Sequence, residues 1–407
     1  MARPSGNTRL KAARTAAGFN SQQALADALQ VGVRQVRRWE SESPPWPQPE
    51  VAQALIRLLG QDLESLGFTP PGGLPAKSRR HISTLAETPG VGLPSVPTQA
   101  VAMQPATVAA DYEAITRSHR RLYWSVAPAT LHPAAIAHAS LGCALLPETA
   151  GQTRQRVAAA LAETYLLAGR IEFFDLRDAG RSQQTLLRAL QAAGEADDPL
   201  LGAAVLAHTA FAPAWAGDRE AAVERMVAAR TYARRSPASA ELLAWLDAVE
   251  AECETRCGNT RTALHLIGHA EDVLAHGSEH KTPEWMDWFS PVRLAAFKGN
   301  TQLKANHLPQ ARATLLGVLD SLEPEEKQIA VVLGDLAAVE AAAGDPEAAC
   351  AYAVRALDQL ERTWYAMGMD RIREVRRTLA PHQHERCVRE LDDRLYGWST
   401  TVSALAR

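Results

Sequence analysis

Small residues recur at fixed distances from four turns in the second half of this 407-residue chain. The turns are "AGDRE", "CGNTR", "ANHLPQ" and "AGDPE", and we anchor them on Gly217, Gly258, Asn306 and Gly344. Two antiparallel helices need small side chains where their backbones approach most closely, so the pattern predicts helix pairs at these turns. The small positions are Ala210, Ala251, Gly299 and Ala337 before the turns, and Ala222, Ala263, Ala311, Ala349, Ala229, Ala270, Val318 and Ala356 after them.

This spacing resembles the tetratricopeptide repeat, a helix–turn–helix unit with a usual period of about 34 residues. The anchors here lie 41, 48 and 38 residues apart, so some helices must exceed the usual length. An earlier unit fits loosely, with Ser182 and Ala189 at the small positions. We expect about five to seven pairs stacked as an α-solenoid. An irregular helical array is the alternative.

Composition divides the chain into three regions and predicts an all-α fold. Residues 69–106 are rich in proline and glycine and cannot build a core, which predicts a flexible linker. Residues 107–396 are rich in alanine and leucine with helical periodicity. Residues 7–68 form a small separate unit of short helices.

Charge and apolar content indicate the cellular compartment of the protein and the class of partner that it binds. Residues 1–40 contain seven Lys/Arg and two Asp/Glu, whereas the whole chain has a net charge of −3. The basic end is therefore expected to meet a polyanion. We see no apolar run near the ~20 residues of a membrane span and no signal-peptide core, and we expect a cytoplasmic protein without membrane contact. The five scattered cysteines predict reduced thiols.

The stretch "LADALQVGVRQVRRWE" predicts a helix with one buried and one basic side. Val36 and Trp39 are three residues apart and point inward together. Val33, Arg34, Arg37 and Arg38 are left facing outward. Such a helix can enter the major groove of DNA.

Several further positions complete a pattern that resembles the Cro/cI-type (XRE-family) helix-turn-helix domain. They are Leu10, Arg14, Gly18, Ser21, Gln22, Leu25, Ala26, Val31, Val36, Trp39 and Glu40. The resemblance implies a lambda-repressor-like bundle that binds double-stranded DNA. Two residues depart from the pattern, because Gln30 replaces the usual turn glycine and Gly32 replaces the usual Ser/Thr.

The resemblance also implies roles for single residues. Val33, Arg34 and Arg38 fall where the family reads base edges, and Gln22 and Gln35 fall where it touches the DNA backbone. With the outward-facing Arg37 they make up the predicted DNA-binding set.

Two further positions and one alternative complete this interpretation. Arg14 and Glu40 fall where the family often has a buried ion pair. The alternative is that the arginines are only a solvated helix face.

Motifs of enzymes and metal sites are weak or missing. We find no GxGxxG, P-loop, GxSxG or HExxH motif, so we expect no enzyme and no cofactor. Two clusters resemble metal ligands, but neither has an established ligand spacing, and we assign no metal. The clusters are Cys253, Cys257, His265 and His269, and His382, His384 and Cys387.

In tetratricopeptide arrays the first helix of each pair lines a concave face that commonly binds a peptide. Applied to this chain, the resemblance predicts a ligand-binding set on or near the inner face. That set is Phe211, Trp245, Glu252, Trp285, Trp288, Arg293 and Asn300. Helix aromatics that only pack in the core are the alternative.

The overall plan resembles actinobacterial regulators that join a helix-turn-helix to a repeat domain, and more distantly the peptide-sensing quorum regulators of Gram-positive bacteria. It implies a transcription regulator that senses a peptide, small-molecule or protein effector. We expect a homodimer, because one small reading head seldom gives enough affinity for DNA. Inner-face asparagines clamp the peptide in quorum regulators, but asparagine is scarce here after the linker. A scaffold that recruits a protein partner, with the helix-turn-helix in tethering or protein contact, remains the competing hypothesis.

Overall fold

A computed structural model describes residues 6–41, 44–47, 49–59, 61, 63, 65–68, 103–323 and 326–405. The chain divides into two units, Met1–Thr98 and Gln99–Arg407. Every regular element in the described ranges is helical, which confirms the predicted all-α class. The predicted linker, residues 69–106, lies outside the described residues except for 103–106.

In its described residues, the N-terminal unit has four short helices around one core. They are α1 (Thr8–Ala16), α2 (Gln22–Ala28), α3 (Val33–Trp39) and α4 (Pro49–Leu59). Ser21 caps α2 by accepting a hydrogen bond from Ala24 N at 3.0 Å. The fully buried members of the core come from all four helices and the segment after them: Leu10, Leu25, Ala26, Val36, Trp39, Leu55 and Leu66.

The turns between these helices need unusual backbone angles. Gly18, in the turn between α1 and α2, adopts φ +86°, where only glycine avoids a steric penalty. Gln30 adopts φ +53° between α2 and α3, so a non-glycine residue occupies the position where the resemblance led us to expect glycine. Gly32 precedes α3 without a side-chain cap, as the missing Ser/Thr implies.

The C-terminal unit is a succession of helices. Its helices are α5 (Thr107–Leu122), α6 (Pro128–Leu145), α7 (Gly151–Arg170), α8 (Ala179–Glu195), α9 (Pro199–Thr209), α10 (Phe211–Trp215), α11 (Arg219–Ala233), α12 (Ala240–Arg256), α13 (Thr260–His276), α14 (Pro291–Lys304), α15 (Leu308–Ser321), α16 (Gln328–Ala343), α17 (Pro346–Arg362), α18 (Ala366–Thr378) and α19 (Arg386–Leu405).

Neighbouring helices pack in pairs, and successive pairs stack on each other. The pairs are α7 with α8, α9 with α11, α12 with α13, α14 with α15, and α16 with α17. The first helices of successive pairs also contact one another, from α9 through α12 and α14 to α16. The first helices of the pairs therefore lie side by side and form the inner face of the array.

The small positions predicted from the sequence lie at the helix contacts. Every one of the twelve is buried, and the four anchor residues have φ between +61° and +84°. At Gly299 a Cβ atom would come within 2.6 Å of the Leu315 side chain. Small residues are therefore required where α14 meets α15. The tetratricopeptide assignment itself stays a prediction.

In the loosely fitting earlier unit, the distance from the small residue to the turn is one residue longer than in the other four units. Its turn residue Arg177 has φ +61°, and a Cβ atom at Gly169 would come within 2.8 Å of the Leu186 side chain, compared with 2.6 Å at Gly299. Gly169 stands eight residues before the turn instead of seven because a π-helix, Ile171–Asp175, intervenes. A π turn accommodates an extra residue within a helix. The shift leaves Arg170 on the inner side.

One segment corrects our expectation about apolar length. Pro128–Glu148 is long and apolar enough to cross a membrane by length and composition, with mean hydropathy 1.3. Two of its histidines are buried in protein contacts: His132 Nε2 lies 2.9 Å from Glu172 Oε1, and His138 Nε2 lies 2.8 Å from Thr116 Oγ1. These contacts and its packing on α7 make it part of the helix array of this unit, with 39% of its apolar window buried.

Candidate functional site

Helix α3 presents a strip of arginines on the surface of the N-terminal unit. Val36 and Trp39 are buried, as predicted, and Arg34, Arg37 and Arg38 are exposed. Within the part of the chain that the structure describes, these three arginines take part in no ion pair. The spacing of three and four residues puts them on one side of the helix. Three cationic side chains are thus available to a partner.

Val33 and Gln35 are less accessible than the arginines. We expected Val33 to face outward, but it is half-buried and packs against the core. The reason is its position three residues before Val36, on the same side of the helix. Gln35 is also half-buried.

An ion pair fixes the position of α3 against α1 and α2. Arg14 Nε donates to Glu40 Oε1 at 2.7 Å, which is the pair that the resemblance implied. Arg14 also donates to the Phe19 carbonyl at 2.7 Å. Gln22 Nε2 donates to Glu40 Oε2 at 2.5 Å, so its amide is engaged within the unit. A DNA contact of Gln22 remains a prediction.

Sequence reasoning missed Asn7, which ties three segments of the N-terminal unit together. Its Oδ1 caps α1 by accepting from Leu10 N at 3.2 Å. Its Nδ2 donates to the carbonyl oxygens of Trp39 at 3.2 Å and Leu66 at 2.9 Å. An Asn before the first helix signals an N-cap, but the long-range bonds have no local signal.

The inner face of the C-terminal unit encloses a cavity. Its volume is about 170 Å³, and it opens to solvent. Six of the seven predicted ligand-binding residues line it: Phe211, Trp245, Glu252, Trp288, Arg293 and Asn300. The helices α9 to α14 thus bring together side chains that the repeat pattern had placed on one face.

Trp285 is the exception in the predicted set. It is buried and lies outside the cavity, with its ring centroid 5.7 Å from that of Trp288. It lines a small neighbouring pocket with Arg120 and Glu163. Trp285 stands in a short 3₁₀ turn, Glu284–Met286, in the segment before α14. Its assignment to the ligand site is therefore wrong for this cavity.

Aromatic rings form much of the cavity wall. The His208 ring lies 5.0 Å from Trp245 and 6.3 Å from Trp288, measured between centroids. Burial lowers the pKa of His208 to about 3, so its imidazole is neutral at pH 7. Phe211 packs edge-on against Trp215 at 5.5 Å. These surfaces suit a flat, largely apolar ligand.

Several charged residues of the cavity are held in ion pairs. Arg371 Nε lies 2.9 Å from Asp335 Oδ1, and Glu252 Oε1 accepts from Arg256 Nε at 3.0 Å. Arg293 pairs with Glu326. Asn300 Nδ2 donates to Asp335 Oδ1 at 3.1 Å. These bonds fix the polar side chains in place.

A buried lysine stands next to the cavity. Lys327 Nζ lies 3.1 Å from Asp175 Oδ1 and 3.2 Å from the ring centroid of Tyr123. Burial lowers the pKa of Lys327 to about 8, against the opposing effect of Asp175. Burial likewise raises the pKa of Asp175.

Other lining residues were missed because they come from distant helices. They are mainly Tyr123, Trp124, Arg170, Gln328, Tyr365 and Arg371. One signal was available for Arg170, which interrupts the apolar stretch from Tyr165 to Phe174. An arginine in such a stretch needs a partner or a cavity.

The two cysteine–histidine clusters do not assemble. Searched over the described residues, the structure holds no group of three or more His, Cys, Asp or Glu side chains arranged for a metal. His269 Nδ1 instead lies 2.6 Å from Asp247 Oδ2, and His382 Nδ1 lies 2.6 Å from Glu385 Oε1.

Comparison with known proteins bears on the N-terminal unit. A helix-turn-helix family model matches residues 10–66. No curated protein matches the chain at a significant level. The N-terminal unit is a helix-turn-helix domain similar to those of the XRE family, and this supports a DNA-binding transcription regulator.

Proposed function

We propose that this protein is a sequence-specific transcription regulator that reads duplex DNA with α3 and responds to an effector bound in the cavity of its C-terminal unit. One observation carries the DNA-binding part. Arg34, Arg37 and Arg38 are exposed, with no ion-pair partner among the described residues, on a helix whose other side is anchored by Val36 and Trp39. The matched helix-turn-helix region contains this helix.

Arginine fits this role because its planar guanidinium binds the edge of guanine with two hydrogen bonds. The Arg14–Glu40 pair and the Asn7 bonds hold α3 against the other helices. A rigid reading helix loses little conformational entropy on binding. The remaining cationic side chains would contact phosphates, and that part of the affinity falls with salt.

The DNA test uses the full chain and duplexes selected from a randomised library. Binding is measured by fluorescence anisotropy at several salt concentrations. We expect Arg38→Ala to lose about 1–3 kcal/mol of discrimination at one base pair. Arg9→Ala removes the same charge from the exposed side of α1 and serves as the control. If both variants keep the wild-type sequence preference, Arg38 does not read bases.

We propose further that two chains bind DNA together. Helix α3 has only seven residues and offers few base contacts, and pairing two such helices multiplies their affinity. Light scattering of the complex with a selected duplex measures the stoichiometry. Two chains on a duplex with repeated half-sites are expected, and one chain on a single half-site would contradict the proposal.

The effector part draws support from the cavity. Six of the seven predicted residues line it, and aromatic rings and polar side chains meet on its wall. Fractions of a cell extract are screened by the thermal unfolding of the full chain. A fraction that raises the unfolding temperature and changes the affinity for DNA supports the proposal. If no fraction does both, the proposal is contradicted.

A further inference from the structure

Arg170 differs from the other cations of the cavity because it has no carboxylate partner. It lines the cavity at the C-terminal end of α7, just before the π-helix. Its guanidinium lies 4.9 Å from the Tyr123 ring centroid and 4.8 Å from that of Trp288. In the described parts of the chain it forms no ion pair, and its Nε is buried without a hydrogen-bond partner.

The neighbouring carboxylates are already in ion pairs with other cations, so they offset the charge of Arg170 only in part. Asp335 lies against Arg371, and Glu252 against Arg256. Asp175 binds Lys327. The cavity therefore contains one cation in excess, placed against aromatic rings where the local dielectric is low. An anion entering the cavity would be drawn to this group.

Three other lining residues, which form no ion pair among the described residues, also have a polar atom buried without a hydrogen-bond partner there. The atoms are the donor Trp288 Nε1 and the acceptors Asn300 Oδ1 and Gln328 Oε1. Buried polar groups are normally hydrogen-bonded, so such a cluster around one cavity points to a polar ligand group. All three residues line the same cavity as Arg170.

We propose that the cavity binds a flat aromatic carboxylic acid, with its carboxylate on Arg170 and its ring system against the indole and phenyl walls. The proposal deepens the effector part of the proposed function and rests on it. The carboxylate accepts from the Arg170 guanidinium and from Trp288 Nε1. A hydroxyl or amino group at the far end of the ring is bound by Asn300 Oδ1 or Gln328 Oε1.

The same observations disfavour a cation and a peptide. A cationic ligand would take the ring faces that the Arg170 guanidinium already occupies, and it would be repelled by that charge. An extended peptide needs many amide partners along its backbone. Only one asparagine lines the cavity, and the Nδ2 of that residue, Asn300, is bound to Asp335.

The test uses 2-naphthoate with two probes of nearly the same shape, neutral 2-naphthalenemethanol and cationic 2-naphthylmethylamine. Binding to the full chain without DNA is followed by calorimetry. We expect 2-naphthoate to bind at least about tenfold more tightly than the neutral probe, because hydrogen bonds to charged groups are worth that much. The cationic probe should bind weakest. Equal affinity for all three probes, or a preference for the cationic one, overturns the proposal.

Variants locate the site. Arg170→Gln should lower the affinity for 2-naphthoate about tenfold and leave 2-naphthalenemethanol binding unchanged, and Arg170→Lys should restore part of the loss. Arg235→Gln is the matched control, since Arg235 also lies over a ring, 4.1 Å from the Tyr232 centroid, but outside the cavity. Circular dichroism checks folding. If Arg170→Gln unfolds, the preference among the three probes still decides.

DNA binding is measured separately with the same preparations. If the wild-type chain binds no DNA but binds 2-naphthoate in a way that depends on Arg170, the proposed function is contradicted and the ligand class is still supported. Normal DNA binding with no preference for the carboxylate overturns the ligand class alone.

Discussion

The two candidate sites of this protein, α3 and the cavity, place their cationic side chains in opposite ways. In the N-terminal unit, Arg34, Arg37 and Arg38 are exposed and free of ion pairs within the described residues. In the C-terminal unit, Arg371 is buried and paired with Asp335, and Lys327 is buried and paired with Asp175. Exposed cations suit a large polyanion that approaches from outside. Buried cations contact only groups within the fold, or a ligand small enough to enter.

The cores differ as well. The N-terminal unit relies on large side chains such as Trp39, which packs edge-on against Phe68 with centroids 6.3 Å apart. The C-terminal unit relies on alanine and glycine at the helix contacts, as at Gly299 against Leu315. A small unit must bury a large fraction of each apolar side chain, whereas a long array can add many small contacts. Four predictions test this contrast, beginning with the largest expected effect.

Trp39→Ala should destabilise the N-terminal unit by about 3–5 kcal/mol, because it leaves a cavity in a core where Trp39 is almost fully buried. Hydrogen exchange measured on peptides from α1 to α3 should accelerate strongly. Trp46→Ala is the control, since Trp46 is exposed and its loss should change stability by less than about 0.5 kcal/mol. Similar exchange in both variants would show that Trp39 does not hold the core together.

His208→Asn should change the pH dependence of the C-terminal unit. Burial lowers the pKa of His208 to about 3, so the unfolded chain binds a proton below pH 6.5 and the folded chain does not. The wild type therefore loses stability relative to the variant as pH falls from 6.5, by about 1.4 kcal/mol per pH unit.

Chemical unfolding of the wild type and of the His208→Asn variant at pH 7, 6, 5 and 4 measures this difference. Asparagine retains a donor in place of the ring nitrogen that lies 2.8 Å from the Ala204 carbonyl. The helices α1 to α4 contain no histidine, so hydrogen exchange there supplies the internal control. A constant difference across this range would mean that His208 is accessible to protons in the folded state.

Gly299→Ala should destabilise the C-terminal unit by about 1–3 kcal/mol, because the new methyl group overlaps the Leu315 side chain. Gly317→Ala is the matched control on the partner helix α15, where a Cβ meets no atom within 4 Å. It should stabilise by about 0.5–1 kcal/mol through helix propensity. Both are measured by urea unfolding, and effects of the same sign would refute close approach at Gly299.

Removal of one helix cap in each unit should give the smallest effect. Ser21 accepts from Ala24 N at 3.0 Å, and Asp345 accepts from Ala348 N at 2.9 Å. Ser21→Ala and Asp345→Ala should each cost about 1 kcal/mol. Hydrogen exchange should accelerate in α2 for the first variant and in α17 for the second. A much larger effect in one unit would show that its cap also supports tertiary contacts.

Local patterns in the sequence were enough for part of this description. The three-residue spacing of Val36 and Trp39 predicted the buried side of α3, and the small residues around the four turns predicted where helices meet. Val33 was misplaced because a spacing rule does not say how wide the buried strip is. Trp285 was misplaced because it stands in a short 3₁₀ turn outside the repeat pattern.

The sequence by itself determined the helical class, the helix-turn-helix pattern and most of one inner face, since each depends on residues close together in the chain. The tertiary structure decided the rest of the cavity. It brings Tyr123, Arg170, Gln328 and Arg371 together from four separate segments. It also decided which charges are paired, because Asp175 meets Lys327 across 152 positions of sequence. The physical reason is that helical periodicity specifies a face, whereas ion pairs and cavities depend on how whole helices stack.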